Sequence, residues 1–108
     1  MARVALLCPD LLFGSNVEGA LRAAGHAVDR YDAPDGTRDA GYEVLVVDLN
    51  ALGPDARRGA EGVPAVGFYS HVDQDTRRHA EQAGFDLVVP RSRMARETAA
   101  VVERALAA

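Results

Sequence analysis

The chain has 108 residues, a formal net charge of −4 and 48% apolar content, and its 12 basic residues are all arginine. That much material supplies one core, so a single domain over residues 1–108 is expected, and the net negative charge excludes the broad basic footprint of a nucleic-acid binder. One cysteine excludes an internal disulfide framework, and no apolar run approaches the roughly 20 residues of a membrane helix. No charged-then-apolar leader opens the chain, so a cytoplasmic protein free of any membrane is expected.

In chain order, residues 3–8 (RVALLC) read as a buried strand. Asp10 and Ser15 are candidate caps for a following helix, whose apolar positions Phe13, Val17, Leu21 and Ala24 recur at helical spacing and which Gly25 closes. Residues 26–31 (HAVDRY) alternate apolar and polar side chains, as an edge-like strand exposed on one face would. Residues 33–41, rich in Asp, Gly and Pro, read as a loop with at most a turn of helix.

The most informative stretch is VLVVDLN, residues 44–50. Four consecutive apolar residues, three of them β-branched, predict a strand covered on both faces, as in parallel sheets. The run stops at Asp48, which places a carboxylate at the carboxyl edge of a central strand, where open α/β sheets form their crevice. Residues 52–62 carry glycine at 53, 59 and 62, and predict only a short helix starting with Pro54 in its first turn. A fourth strand follows over residues 65–69, then a helix capped by Asp73, running to Ala83 and closed by Gly84. Residues 86–89 predict a fifth strand, and Ser92 caps a last helix whose stripe is Met94, Thr98, Val101, Val102, Ala105 and Leu106. Strict alternation with right-handed crossovers gives an α/β fold: five parallel strands, doubly wound, between two helical layers.

VPAVGFYS at residues 63–70, followed by AEQAGFDLVV at residues 80–89, resembles the second half of a response-regulator receiver domain. There the pattern is proline, apolar strand, hydroxyl residue, a helix ending in Ala-Gly, then a strand ending in Lys-Pro. VLVVDLN resembles the phosphoacceptor strand, and LRAAGHAV (residues 21–28) resembles the end of the first helix and the start of the second strand. The resemblance spans essentially the whole chain as a (βα)5 three-layer sandwich with shortened second and third helices. It implies a sheet-edge pocket in which two acidic residues and the phosphoacceptor aspartate hold magnesium, while a hydroxyl and a lysine bind phosphoryl oxygens. A carboxylate attacking a phosphoryl donor brings like charges together, and two charges 4 Å apart at an effective dielectric of 20 interact by about 4 kcal/mol, so counter-charge is required.

Carried over by position, Asp48 matches the phosphoacceptor. The acidic-pair positions hold Cys8 and Pro9, with Asp10 one place later; the hydroxyl position holds Tyr69, with Ser70 one place on. The lysine position holds Pro90, followed by Arg91. A one-residue shift in a strand turns a side chain to the opposite face, although a loop absorbs it. The candidate pocket is therefore Asp48, Asp10, Cys8, Asn50, Tyr69, Ser70 and Arg91, with Asp10 and Asp48 as the only magnesium ligands. With arginine in place of the ammonium, the resemblance does not imply a bound cofactor here.

Each residue has a plainer role beside the functional one. Asp48 and Asp10 are also placed to cap the elements that follow them, Tyr69 to cover the pocket mouth, and Arg77 and Arg78 to form a solvated face. His26, His71 and His79 have no metal-ligand spacing. Cys8, ending a strand before a loop and helix, raises a rival reading as a thiol nucleophile for phosphotransfer, but the arginine such a loop needs is replaced by Gly14, followed by Ser15. The expectation is a non-enzymatic, stand-alone receiver-like module for protein contacts in signal transduction, largely independent of phosphorylation. Its output face would be the helix after the fourth strand, the fifth strand and the final helix. There Arg77, Arg78, Glu81, Arg93, Arg96 and Arg104 are mixed with Glu97 and Glu103, a pattern suited to a weak two-fold homodimer. The alternative is a true phosphoreceiver, modified on Asp48 by a histidine kinase.

Overall fold

The computed structural model describes residues 1–34, 41–57, 62–70 and 73–107. Strand β1 (Arg3–Leu7) leads to helix α1 (Leu11–Ala23) and strand β2 (Ala27–Tyr31). Strand β3 (Val44–Asp48) runs directly into helix α2 (Leu49–Leu52) and a 3₁₀ turn (Pro54–Arg57). Strand β4 (Ala65–Tyr69), helix α3 (Gln74–Gln82), strand β5 (Leu87–Pro90), helix α4 (Arg91–Arg96) and helix α5 (Thr98–Ala107) complete the order. All four strand pairings are parallel and the spatial order is β2-β1-β3-β4-β5. The chain steps outward from β1 to β2 and then back to β3, which opens a crevice at the carboxyl ends of β1 and β3.

Alternation along the strands builds two cores. Val4, Leu6, Val44, Val46, Val66 and Phe68 face Val17, Leu21, Met94, Val101 and Val102 of α1, α4 and α5. Ala5, Leu7, Leu45, Val47 and Tyr69 face Leu49, Ala56, Ala80 and Phe85 on the other side. Every residue of β3 is buried, as its unbroken apolar run requires. Burying each of the larger side chains contributes about 1.5–3 kcal/mol. Gly25 and Gly84 adopt φ of +94° and +90° just beyond α1 and α3, the left-handed geometry that ends a helix and that glycine takes at least cost. Buried His26 ties the termini together: its Nδ1 accepts the Ala2 N–H at 3.1 Å, and its Nε2 meets Glu103 Oε2 of α5 at 3.2 Å.

Several sequence expectations are corrected. Strand β1 stops at Leu7, which leaves Cys8 in the following loop, and β2 starts at Ala27. Asp10, rather than Ser15, caps α1; Ser15 lies inside the helix. The short helix expected from Pro54 is a 3₁₀ turn, and a further short helix precedes it: α2 begins at Leu49 because Asp48 itself caps it. Ser92 is not a cap. Strand β5 runs on to Pro90, α4 starts at Arg91 without a side-chain cap, and Glu97 (φ −126°, ψ 35°) breaks the expected last helix in two. The break is held by the Thr98 hydroxyl, which donates to the Met94 carbonyl at 2.6 Å. The loop expected over 33–41 and the shortened second helix fall largely on residues 35–40, and the end of the 52–62 segment on residues 58–61, outside the described residues.

Gly67 in β4 makes room for α2. A Cβ there would lie 2.5 Å from Leu49 Cδ1 and 2.9 Å from its Cγ, within a packed core. Gly67→Ala should therefore destabilise the protein by about 1–3 kcal/mol in urea unfolding, through displacement of Leu49.

Candidate functional site

Three loops meet at the carboxyl edge of the sheet. The turn after β1 brings Cys8 and Asp10, the end of β3 brings Asp48, and the start of α4 brings Arg91. Asp10 does two jobs: its Oδ1 accepts the Phe13 N–H at 2.9 Å as the cap of α1, and its Oδ2 accepts from Arg91 Nη2 at 3.1 Å. Such a cap contributes about 1 kcal/mol. Asp48 is divided in the same way. Its Oδ1 accepts the Ala51 N–H at 3.3 Å as the cap of α2, and its Oδ2 accepts from Arg91 Nη1 at 3.4 Å. Asp48 is only 3% exposed, so its charge is taken from water and must be met within the protein.

Arg91 meets it. The guanidinium bridges both carboxylates and lies over the Phe13 ring at 4.2 Å, with Phe68 at 5.4 Å. The two rings sit 5.0 Å apart and form an apolar floor for the cation. Phe68 pairs in register with Asp48 across β3 and β4, which places its ring beneath the pocket. A cation over ring faces gains about 0.5–2 kcal/mol, more as water is excluded.

Cys8 closes the remaining side. Its single S–H has two acceptors in reach, Asp48 Oδ2 at 3.8 Å and the Asp10 carbonyl at 3.7 Å, and the residue is buried. Burial pushes the Cys8 thiol up from its ordinary pKa, and the neighbouring Asp48 charge adds to that. Arg30 of β2 holds the loop from outside, donating to the Asp10 carbonyl at 3.2 Å, the Cys8 carbonyl at 3.5 Å and Ser15 Oγ at 3.1 Å. Gly14 leaves room for that approach, because a Cβ there would meet the Arg30 guanidinium, which would have to shift.

The other sequence candidates are not brought to Asp48. The Asn50 amide donates to Asp73 Oδ2 at 3.0 Å and its oxygen accepts the Ser70 N–H at 2.6 Å, so Asn50 and Ser70 join α2 to the loop before α3. Asp73 caps α3 through the Thr76 N–H at 3.1 Å, and the Thr76 hydroxyl and backbone hold its carboxyl below the usual range. Tyr69 does not cover the pocket mouth. It points to the opposite face of the sheet from Phe68, into the second core, and its hydroxyl beside Arg77 raises that guanidinium's pKa. Arg77, Arg78 and Arg96 are exposed and make short-range ion pairs with Glu81, Asp75 and Glu97, and Arg104 is exposed on α5. His71 lies outside the described residues. Sequence reasoning missed the roles of Phe13, Phe68 and Arg30; the only signal for the rings was that both are apolar positions near the predicted sheet edge.

The residues present do not fit a magnesium ion. Magnesium takes oxygen donors in near-octahedral geometry, whereas here both carboxylates are already bridged by a guanidinium and the third group in reach is a thiol. Among the described residues, no group of three or more His, Cys, Asp or Glu side chains is arranged to hold a metal.

Neither a protein-family model nor a curated protein matches the chain. Solved structures do. A receiver domain protein from Methanospirillum hungatei superposes with a TM-score of 0.86 over 99% of this chain and 94% of its own, at 12% identity. A non-phosphorylated receiver domain from Leptospira biflexa gives 0.83 over 100% and 96%, at 16% identity. An orphan response regulator of H. pylori gives 0.78 over 97% and 96%, at 21% identity. The chain has the receiver-domain fold. At such identities the likeness extends to the backbone path and not to the pocket chemistry, and this receiver fold carries an Arg91-bridged pair of aspartates. No helix among the described residues is long and apolar enough to cross a membrane.

Because the folded Cys8 thiol keeps its proton to higher pH than an unfolded one, the unfolded chain binds fewer protons above about pH 8.5, and stability falls from there upward. Urea unfolding should show that fall between about pH 8.5 and 10, and Cys8→Ala should flatten it.

Proposed function

We propose that the chain is a receiver-type signalling module that acts through protein contacts, carries out no reaction of its own and does not depend on phosphorylation of Asp48. The observation that carries this reading is the engagement of both Asp48 oxygens: Oδ1 by the Ala51 N–H, Oδ2 by Arg91 and Cys8, with 3% of the residue exposed. A carboxylate nucleophile must present an oxygen in line with an anionic donor. Here that oxygen would first have to leave its cap or its ion pair.

The signal then leaves through a surface, and the favoured one is α3, β5, α4 and α5 with Arg77, Arg78, Glu81, Arg93, Arg96, Glu97, Glu103 and Arg104. Mixed charges of this kind allow reciprocal pairing with a second copy, as a weak dimer, or docking of another signalling protein, a histidine kinase among them. The raised thiol pKa of Cys8 and its burial argue against the thiol phosphotransfer reading.

The convergence of Asp10, Asp48 and Arg91 favours one second reading, a phosphoreceiver whose displaced groups rebuild the site. Incubation with acetyl phosphate and magnesium, followed by intact-mass measurement, separates the two. The expected result is no stoichiometric phosphoryl adduct. An adduct abolished by Asp48→Asn would establish the second reading instead.

A further inference from the structure

We infer that Arg91 is the resident cation of the sheet-edge pocket, standing where the receiver resemblance implies a divalent metal, so that the folded domain is independent of magnesium. The inference deepens the proposed function by naming what neutralises the pocket, and it rests on geometry that the phosphodonor experiment does not probe.

The two guanidinium nitrogens each take a different carboxylate, Nη2 to Asp10 at 3.1 Å and Nη1 to Asp48 at 3.4 Å. A planar fork spans two acceptors in this way, whereas a lysine ammonium is a point charge. The surroundings suit the guanidinium and not a hydrated metal. Phe13 and Phe68 present ring faces, which attract a weakly hydrated planar cation and offer no lone pairs to the several waters that magnesium retains. The third polar wall is the protonated, buried Cys8 sulfur, a soft donor that a hard cation does not choose.

Attachment completes the case. Arg91 directly follows Pro90, whose pairing with Tyr69 fixes the end of β5 in the sheet. The cation is therefore delivered by the fold itself, at an occupancy that does not depend on any ion concentration. A dissociable metal would have to displace it from both carboxylates at once. The guanidinium side chain remains 31% exposed, so the pocket is lidded by the cation and not sealed around it.

Two measurements test this. In the first, the unmodified protein is titrated calorimetrically with magnesium chloride, and its thermal unfolding is compared in magnesium chloride and in sodium chloride of equal ionic strength. No stoichiometric binding and coincident Tm values are expected. Stoichiometric binding lost in Asp48→Asn would overturn the inference. The second is a double-mutant cycle on Arg91→Ala and Asp48→Asn. Arg91→Ala strands a buried carboxylate, so Tm should fall by about 10 °C or more, or folding should fail. Arg91→Ala combined with Asp48→Asn removes the stranded charge and should unfold at a higher temperature than Arg91→Ala alone. An Arg91→Ala protein with unchanged Tm, or a double variant no more stable than Arg91→Ala, would refute Arg91 as the counter-ion. The two readings fail separately. A magnesium-indifferent protein that still takes a phosphoryl group on Asp48 sinks the proposed function and keeps this inference, whereas magnesium binding without an adduct does the reverse.

Discussion

A buried carboxylate at the end of a central strand is the constraint around which the pocket is arranged. Asp48 closes the otherwise apolar β3, faces α2 as its cap, and is almost fully removed from water. An isolated charge there would be costly, and the fold answers it with one arginine from the start of α4, directly after the end of β5. The same guanidinium holds Asp10, so a single side chain ties the ends of β1, β3 and β5 together across the crevice.

The neighbouring packing follows from that bridge. Phe13 and Phe68 come from α1 and β4 and meet beneath the guanidinium, which couples the ion pair to the first core. On the opposite face, Gly67 gives Leu49 the room it needs, and this allows α2 to start immediately after Asp48 and to present the Ala51 N–H to it. Arg30 clamps the β1–α1 turn through its carbonyls, at a place where Gly14 leaves space. Each device is small, and together they hold two carboxylates, a thiol and a guanidinium in one arrangement.

The proposed function rests on the charge balance of that arrangement. Two negative charges are met by one fixed positive charge, with an uncharged thiol beside them. On the proposed reading the pocket keeps this state, and surface contacts, not pocket chemistry, carry the function. The charged side chains of α3 and α4 make mostly local pairs, so they remain available at the surface for regrouping with a partner.

Much was legible in the chain itself. The unbroken VLVVD run, the alternation of apolar segments with glycine-closed helices, and the Asp10 and Asp73 caps follow from local rules of periodicity, burial and hydrogen bonding, so the succession of elements and a parallel, doubly wound sheet could be anticipated. The split at Glu97 could not, because no local signal breaks the stripe there, and the cap at Asp48 was legible only as an alternative to its pocket role. The pocket was half legible: counting along the sequence put Asp10 and Arg91 one residue away from the positions the resemblance implies. Only the tertiary structure decided that both side chains turn inward onto Asp48, while Asn50, Ser70 and Tyr69 turn elsewhere. Side-chain direction in a loop is set by what lies across the crevice. Here that is a buried charge and two ring faces, and the Asp10–Arg91 pair that they help to hold spans 81 positions of the chain.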